Sequence, residues 1–331
     1  MGEGLLKGFP EAAPTKPSKE LIYADVAVTA TAKEFAGIYR GKQYHEPDVA
    51  HVLERAADAG VKKILLTGMS ASDIVFNAQV ARSQPSQCSI TVGVHPYHAS
   101  EPYENGSDGE EYLTAMANKT NELLHSSPAL VAAYGELGLD YDHLSLADKE
   151  TQLRCFHDQL DLFLAQEWQL PLFLHCRAAF DDFVAVMEKY IDRLPRRGLV
   201  HSFVGTEAQM QKLVAMGLDV SVNGFSFKDL ESLEMVAAVP LHALQLETDA
   251  PWGNIQTSSE VATRYLANAP SLPASKKKDK FAMGSMVKER NESCCMRQVA
   301  FIVAGLKGIS VEEVASAAWK NSVKMFWAET M

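Results

Sequence analysis

Short apolar runs recur along this chain. Each is followed by a longer stretch in which apolar and polar positions alternate with helical spacing. Residues 22–28, 63–68, 89–95, 130–135, 171–175, 199–203, 218–224 and 244–248 form runs of five to seven residues, rich in Val, Ile, Leu and Ala. Runs of that length and composition read as buried strands. The intervening stretches read as helices. Pro47 and Asp48 open the first and Gly60 stops it. Ser70 or Ser72 caps the second, and others are expected near 110–125, 148–166, 179–192, 206–216 and 230–237. Residues 97–110 are polar and turn-rich, a loop. Two helices close the chain, near 292–305 and 310–327, and Ser310 with Glu313 gives the second a capping box.

Regular strand–helix alternation predicts a parallel sheet, and eight repeats suit closure into a (β/α)8 TIM barrel, one domain over residues 21–331. An open doubly wound sheet is the alternative, but the first strand–helix turn lacks a glycine fingerprint. The rhythm breaks at about 253–290, read as a loop insertion after strand eight. It carries Lys276-Lys277-Lys278-Asp279-Lys280. A lysine run is ordinarily a solvated face; beside a barrel mouth it is also placed to meet an anionic substrate. Residues 1–20 hold three prolines, three lysines and three glutamates and read as a mobile tail.

Composition narrows the function. The chain has 331 residues, 47% of them hydrophobic, enough for a large core. Its 31 basic and 42 acidic side chains give a formal charge of −11, so polyanion binding by overall charge is excluded. Any nucleic-acid substrate requires bound cations and a local basic patch. Five cysteines without framework spacing point to reduced thiols, hence a cytoplasmic or nuclear setting. No apolar stretch approaches the ~18 residues of a membrane span. No membrane association and no obligate protein partner are expected.

Four predicted strands end in metal-ligand residue types: Glu136 in Tyr-Gly-Glu, His175 in Phe-Leu-His, His201 in Leu-Val-His and Asp249 in Glu-Thr-Asp. Singly, each has an ordinary reading as a rim salt bridge, a hydrogen-bonded core histidine or a turn cap. Together, at the carboxyl ends of strands four, five, six and eight, they match the way a barrel assembles a metallohydrolase centre. Histidine-plus-carboxylate sets favour zinc or manganese, while oxygen-rich sites favour magnesium. His95, ending strand three, is assigned first to substrate contact. Arg177, two residues past His175, shares its face and suits a phosphate fork. Asn223 and Trp252 are candidates for the pocket lining. Asp140 and Asp142 fall on the loop after strand four and are left unassigned.

The flanking segments Gly-Val-His-Pro, Gly-Glu-Leu-Gly-Leu-Asp, Leu-His-Cys-Arg, Val-His-Ser-Phe-Val-Gly-Thr and Glu-Thr-Asp-Ala-Pro-Trp occur in this order. They resemble the TatD family of metal-dependent deoxyribonucleases, over roughly residues 21–327. Gly-Ile-Tyr-Arg-Gly (37–41) and Lys-Glu-Arg-Asn-Glu (288–292) resemble its eukaryotic branch. The resemblance implies divalent-metal hydrolysis of DNA phosphodiesters. It further implies 3′–5′ exonuclease action on single strands, sometimes endonuclease action, in DNA repair or degradation. Glu136, His175, His201 and Asp249 occupy the family's ligand positions, with Glu136 and Asp249 also serving the chemistry, and His95 its substrate-contacting histidine. Mg²⁺ is the expected ion, Mn²⁺ or Zn²⁺ the alternatives, and one or two ions are bound. Many relatives carry Asp-x-His-x-His on strand one. Here Asp25, Ala27 and Thr29 stand there, leaving at most Asp25 as a ligand, and Arg290-Asn291-Glu292-Ser293-Cys294-Cys295 lacks the usual Pro and His. Two other functions fit the same residues: an amidohydrolase or esterase acting on a small or aminoacyl substrate, and a catalytically weakened scaffold.

Overall fold

A computed structural model describes residues 4–327 apart from Pro128. Among the described residues, eight parallel strands stand side by side in chain order: β1 (Tyr23–Val28), β2 (Val61–Leu66), β3 (Cys88–Val92), β4 (Val131–Asp140), β5 (Leu172–Arg177), β6 (Gly198–His201), β7 (Asp219–Val222) and β8 (Leu244–Leu246). The sheet curls until its edges meet. A parallel bridge joins Val28 to Ala250, the Thr29 amide donates to the Ala250 carbonyl at 2.9 Å, and Thr248 donates from N and Oγ1 to the Asp25 carboxylate at 2.9 and 2.6 Å. This is the TIM barrel that the alternation predicts.

Asp25 therefore spends both carboxylate oxygens on the seam and is wholly buried. It is a barrel-closing residue rather than the ligand that the family pattern allows. Period-two alternation along β1 also fails, because its register against β2 shifts between Asp25 and Val28, and Val26 and Ala27 both enter the interior core.

The barrel interior is filled by Ala24, Val26, Ala27, Leu65, Ala132, Ala133, Phe173 and Leu199. Val323, Phe326 and Trp327, from the chain's last described turn, pack into the same cluster, and the Trp327 indole donates to Ser89 Oγ at 3.0 Å. Small residues on β1 and β4 leave the room that these rings occupy. The outer layer is α1 (Val49–Asp58), α2 (Asp73–Ser83), α3 (Glu110–Ser126), α4 (Lys149–Ala165), α5 (Phe180–Tyr190), α6 (Glu207–Ala215), α7 (Leu230–Ala238), α8 (Glu260–Tyr265), α9 (Met296–Lys307) and α10 (Val311–Ser322). Thr206 and Ser310 close capping boxes with Gln209 and Glu313, the second as expected from sequence.

Strand β4 runs five residues beyond its expected end at Gly135, so Asp140 lies in the sheet and not on a loop. Glycine makes this extension possible. Gly135 and Gly138 have φ of +152° and +147°, and a Cβ on either would stand 2.1 Å from the Phe173 carbonyl or 1.9 Å from that of His175.

Of the segment expected to be a mobile tail, residues 1–3 lie outside the described residues and the part from Leu5 to Ser18 is docked. The Leu5 and Leu6 amides donate to Glu260, Arg264 and Tyr265 donate to the Leu6 and Pro10 carbonyls, and the Ser18 amide donates to Glu312. Leu6 is buried in the outer core. The insertion after β8 holds α8 and a short parallel pair, Ser275–Lys276 with Met286–Val287. A buried ring of charges fastens it. Arg290 grips Asp48 through two hydrogen bonds of 2.7 and 2.6 Å and reaches Glu292 at 2.8 Å, while Arg55 holds the other Glu292 oxygen at 2.8 Å. No single helix among the described residues is long and apolar enough to cross a membrane.

Candidate metal centre

At the carboxyl end of the barrel one carboxylate oxygen gathers three imidazoles. Glu136 Oε1 lies 2.5 Å from His201 Nε2, 2.9 Å from His175 Nδ1 and 3.2 Å from His95 Nε2. The sheet register produces this meeting. Gly138, His175 and His201 are cross-strand partners on β4, β5 and β6, and Glu136 sits at the β4 irregularity between Gly135 and Leu137. All four side chains are buried, in a cavity of about 320 Å³ also lined by Thr29, Tyr97, His143, Arg177, Asp249 and Trp252.

Burial alone would keep Glu136 protonated, but the charges of His201 and His95 and the hydrogen bonds of His175 and His201 outweigh it, and its carboxyl is held well below the usual range. Burial likewise disfavours a charged His201, yet Glu136 and then Glu247 raise it well above an ordinary histidine. His175 is raised by Asp140 and Glu136 against burial. His95 goes the other way, to about 4, because burial exceeds what Glu136 returns. Asp249 is raised by burial, with His201 opposing and Glu247 and Glu136 adding to the rise.

These groups fit a cation. The His175 and His201 nitrogens are 3.2 Å apart and both face Glu136 Oε1. Three such atoms need a positive charge among them, a proton or a metal ion. His201 Nδ1 lies 3.6 Å from Glu247 Oε1, an ion-pair distance without a hydrogen bond, while His175 Nε2 is backed by Asp140 Oδ2 at 3.0 Å. Such backing fixes the ring and its tautomer in metal sites. His95 is arranged differently. Its Nδ1 accepts the Tyr97 amide at 3.0 Å, which leaves the proton on Nε2, so the neutral ring points a donor into the cavity. That favours substrate contact over ligation, although its position beside Glu136 and His175 is also compatible with a ligand.

The remaining expected residues are in or near the cavity. Asp249 joins the wall through Ser202 Oγ at 3.5 Å, and Arg177 lines the cavity with its guanidinium 5.4 Å from the Phe225 ring centre. Trp252 lines it and is 39% exposed. Asn223 does not face the cavity. It is fully buried and donates to Glu247 at 2.8 Å and Ser202 at 2.9 Å. The expectations missed Asp140, Glu247, Tyr97 and His143. Asp140 follows Glu136 by four along a strand and Glu247 precedes Asp249 by two, spacings that put each pair on one side of extended backbone, so a signal was present. His143 bridges Asp140 Oδ1 at 2.9 Å and the Tyr97 hydroxyl at 2.9 Å from a loop that strand periodicity does not describe.

Comparisons with known proteins identify the family. The family model described as TatD related DNase matches residues 25–327. A Schizosaccharomyces pombe protein named Deoxyribonuclease Tat-D is 41% identical over 314 residues, covering 93% of this chain and 96% of the relative. An Erwinia billingiae protein named 3′-5′ ssDNA/RNA exonuclease TatD is 32% identical, with 91% and 98% covered. A crystal structure of an uncharacterized amidohydrolase from Saccharomyces cerevisiae superposes with a TM-score of 0.85 at 31% identity, covering 92% of this chain and all of that one. The barrel, the cluster of Glu136 with its histidines and a family match across nearly the whole described chain together establish that this protein belongs to the TatD family of hydrolases.

Proposed function

We propose that the protein is a divalent-metal-dependent deoxyribonuclease that removes nucleotides from the 3′ end of single-stranded DNA, with endonuclease action as a lesser mode. The observation that carries this reading is the convergence of Glu136, His175 and His201, with His175 backed by Asp140 and His201 near the charge of Glu247, in a small cavity that also presents His95 and Arg177.

Glu136, His175 and His201 would hold the ion, with Asp249 as a fourth ligand. When bound, the ion lowers the pKa of water and polarises a phosphoryl oxygen. Mg²⁺ is the proposed activating ion, with Mn²⁺ and Zn²⁺ also suited to the nitrogen donors. Asp249, whose carboxyl burial pushes upward, would take a proton from the attacking water. His95 donates from Nε2 to a non-bridging phosphate oxygen, and Arg177 offers a guanidinium fork to a second. A cavity of about 320 Å³ suits one nucleotide, which favours a strand end over a duplex. Two histidines absent from strand one leave β1 without a ligand for a second ion, so one ion is proposed. The five cysteines are unpaired in the structure, which suits the reducing nucleus or cytoplasm, where a role in DNA repair or degradation would be exercised.

Purified protein with Mg²⁺ or Mn²⁺ should shorten 5′-labelled single-stranded DNA stepwise, and Glu136→Ala should abolish shortening. Equal cleavage by Glu136→Ala overturns the assignment. Cleavage of a small amide or aminoacyl ester with DNA left intact replaces it with the hydrolase alternative.

A further inference from the structure

A second and larger cavity, of about 700 Å³, shares Phe225 and Trp252 with the catalytic cavity. Its walls come from two segments outside the barrel repeat: the hairpin Ile38–Tyr39 with Lys42–Gln43, and the insertion after β8. They are joined across the gap. Lys278 Nζ lies 4.9 Å from the ring centres of both Tyr39 and Tyr44, and His45 stacks on Phe281 at 4.2 Å. The aromatic faces alternate with cations, since Lys228 Nζ is 4.3 Å over Phe225 and Arg177 flanks the same ring.

The two segments that border the groove carry a charge opposite to that of the whole chain. Residues 275–289 carry Lys276, Lys277, Lys278, Lys280 and Lys288 against Asp279 and Glu289, and the hairpin adds Arg40 and Lys42 with no acid. On the lining itself Lys277, Lys278 and Lys288 stand with Glu34, Asp279 and Glu289, and Arg290 is already committed to Asp48 and Glu292. The chain as a whole, at a net charge of −11, repels a polyanion.

We infer that this groove of Tyr39, Phe225, Trp252 and the lysines 277, 278 and 288 is a subsite for the flanking nucleotides of a single-stranded polynucleotide whose end occupies the catalytic cavity. The inference rests on the nuclease reading and adds to it a strand-holding surface built by the insertion. Sequence-tolerant single-strand binding combines aromatic platforms with a cationic track, which is the composition found here. Phe225 and Trp252 line both cavities, so the groove adjoins the place where the strand end would sit. The groove has roughly twice the volume of the catalytic cavity and so accommodates about two more nucleotides.

The test compares substrates of increasing length: a thymidine 5′-phosphate nitrophenyl ester, dT2, dT4 and dT12. For the unmodified protein, kcat/KM should rise with length and level off at about three to four nucleotides. Lys277→Ala/Lys278→Ala should lose about tenfold or more on dT12 while cleaving the ester as before. Anisotropy of labelled dT12 in EDTA, where cleavage cannot occur, gives the second readout. Removing two phosphate-contacting lysines should lower the log K against log salt slope by about 1.4, about 0.7 for each. Unchanged kcat/KM on dT12 together with an unchanged salt slope overturns the subsite and leaves the nuclease reading standing. If neither ester nor DNA is cleaved by the unmodified protein, the nuclease reading fails, and lysine-dependent dT12 binding then decides the subsite alone. Equal binding of poly-glutamate would overturn the assignment to a polynucleotide.

Discussion

Replacing Asp48 by alanine removes two charge-assisted hydrogen bonds from Arg290, of 2.7 and 2.6 Å, and a 3.6 Å ion pair from Arg55. It leaves two guanidinium groups with Glu292 as their one carboxylate, beside the Glu34 and Gly284 carbonyls, in a place where the Asp48 and Glu292 side chains are fully buried and that of Arg290 is 1% exposed. At about 1.5–3 kcal/mol for each charged hydrogen bond, the loss is about 3–6 kcal/mol. This agrees with the about 3–5 kcal/mol observed when one partner of a buried ion pair is deleted. Against a total stability of about 5–15 kcal/mol, that is a large share. With a urea m-value of about 3 kcal/mol/M, the unfolding midpoint should fall by about 1–2 M. Urea titration followed by far-UV circular dichroism measures the shift. Asp48→Leu/Arg290→Met should recover much of it, because no charge is then left unpaired. A midpoint within about 0.2 M of the parent for Asp48→Ala, which is under about 0.6 kcal/mol at that m-value, would refute the view that this ring fastens the insertion to α1.

Three further outcomes follow from the same geometry. Asp140→Asn should weaken metal binding about 10- to 100-fold, seen by calorimetry with Mn²⁺, while kcat at saturating metal changes little, because Asp140 acts through His175. Gly138→Ala should lower the melting temperature sharply and spoil metal binding as well, since its Cβ would stand 1.9 Å from the His175 carbonyl oxygen; a variant with parental stability would contradict the close approach of β4 and β5. Burial pushes the thiols of Cys88, Cys155 and Cys176 from 9.0 up to about 12, so the folded chain keeps protons that the unfolded chain releases. Their contribution is intact below pH 9 and is lost as pH rises toward 12, at about 1.4 kcal/mol per pH unit for each thiol. Denaturation between pH 9 and 10.5 should accordingly be less steep in pH for a triple Cys→Ala variant, and an identical decline would dismiss the thiols as its cause.

The parts of this molecule that were legible in the sequence are those governed by local periodicity. Apolar runs of five to seven residues gave the strands, and capping boxes such as Ser310 with Glu313 gave helix starts. Glu136, His175 and His201 were visible because each ends such a run. What stayed hidden depended on departures from regular strands. Asp140 looked like a loop residue because the apolar run ends at Gly135, whereas the positive φ of Gly135 and Gly138 lets β4 continue beside β5 to Asp140. Asp25 looked like a vestigial ligand because alternation put it beside Ala27 and Thr29, and the register shift in β1 is what turns it to Thr248. The docked amino-terminal segment escaped notice because its composition is polar, while its attachment uses backbone amides and carbonyls that composition does not report.

The same distinction explains how a centre lacking the strand-one histidines can keep its geometry. Loss of the imidazoles at positions 27 and 29 removes donors from one side of the cavity only. Glu136, His175 and His201 are held from the other side, by the β4–β5–β6 register, by Asp140 on the far nitrogen of His175 and by the charge of Glu247, 3.6 Å from His201 Nδ1. Glu247 is in turn held by Ser221 at 2.6 Å and Asn223 at 2.8 Å, so this support reaches β7 without touching β1. Strand one, relieved of ligation, closes the barrel through Asp25 and contributes Thr29, bonded to Thr67 at 2.9 Å, to the cavity wall. Restoring histidines at 27 and 29 would therefore not by itself rebuild a second ion site. Ala27 lies in the packed interior, where the ring would meet Val26 and Leu65 of the core, and metal analysis of Ala27→His/Thr29→His should find no more ion per chain than the parent binds.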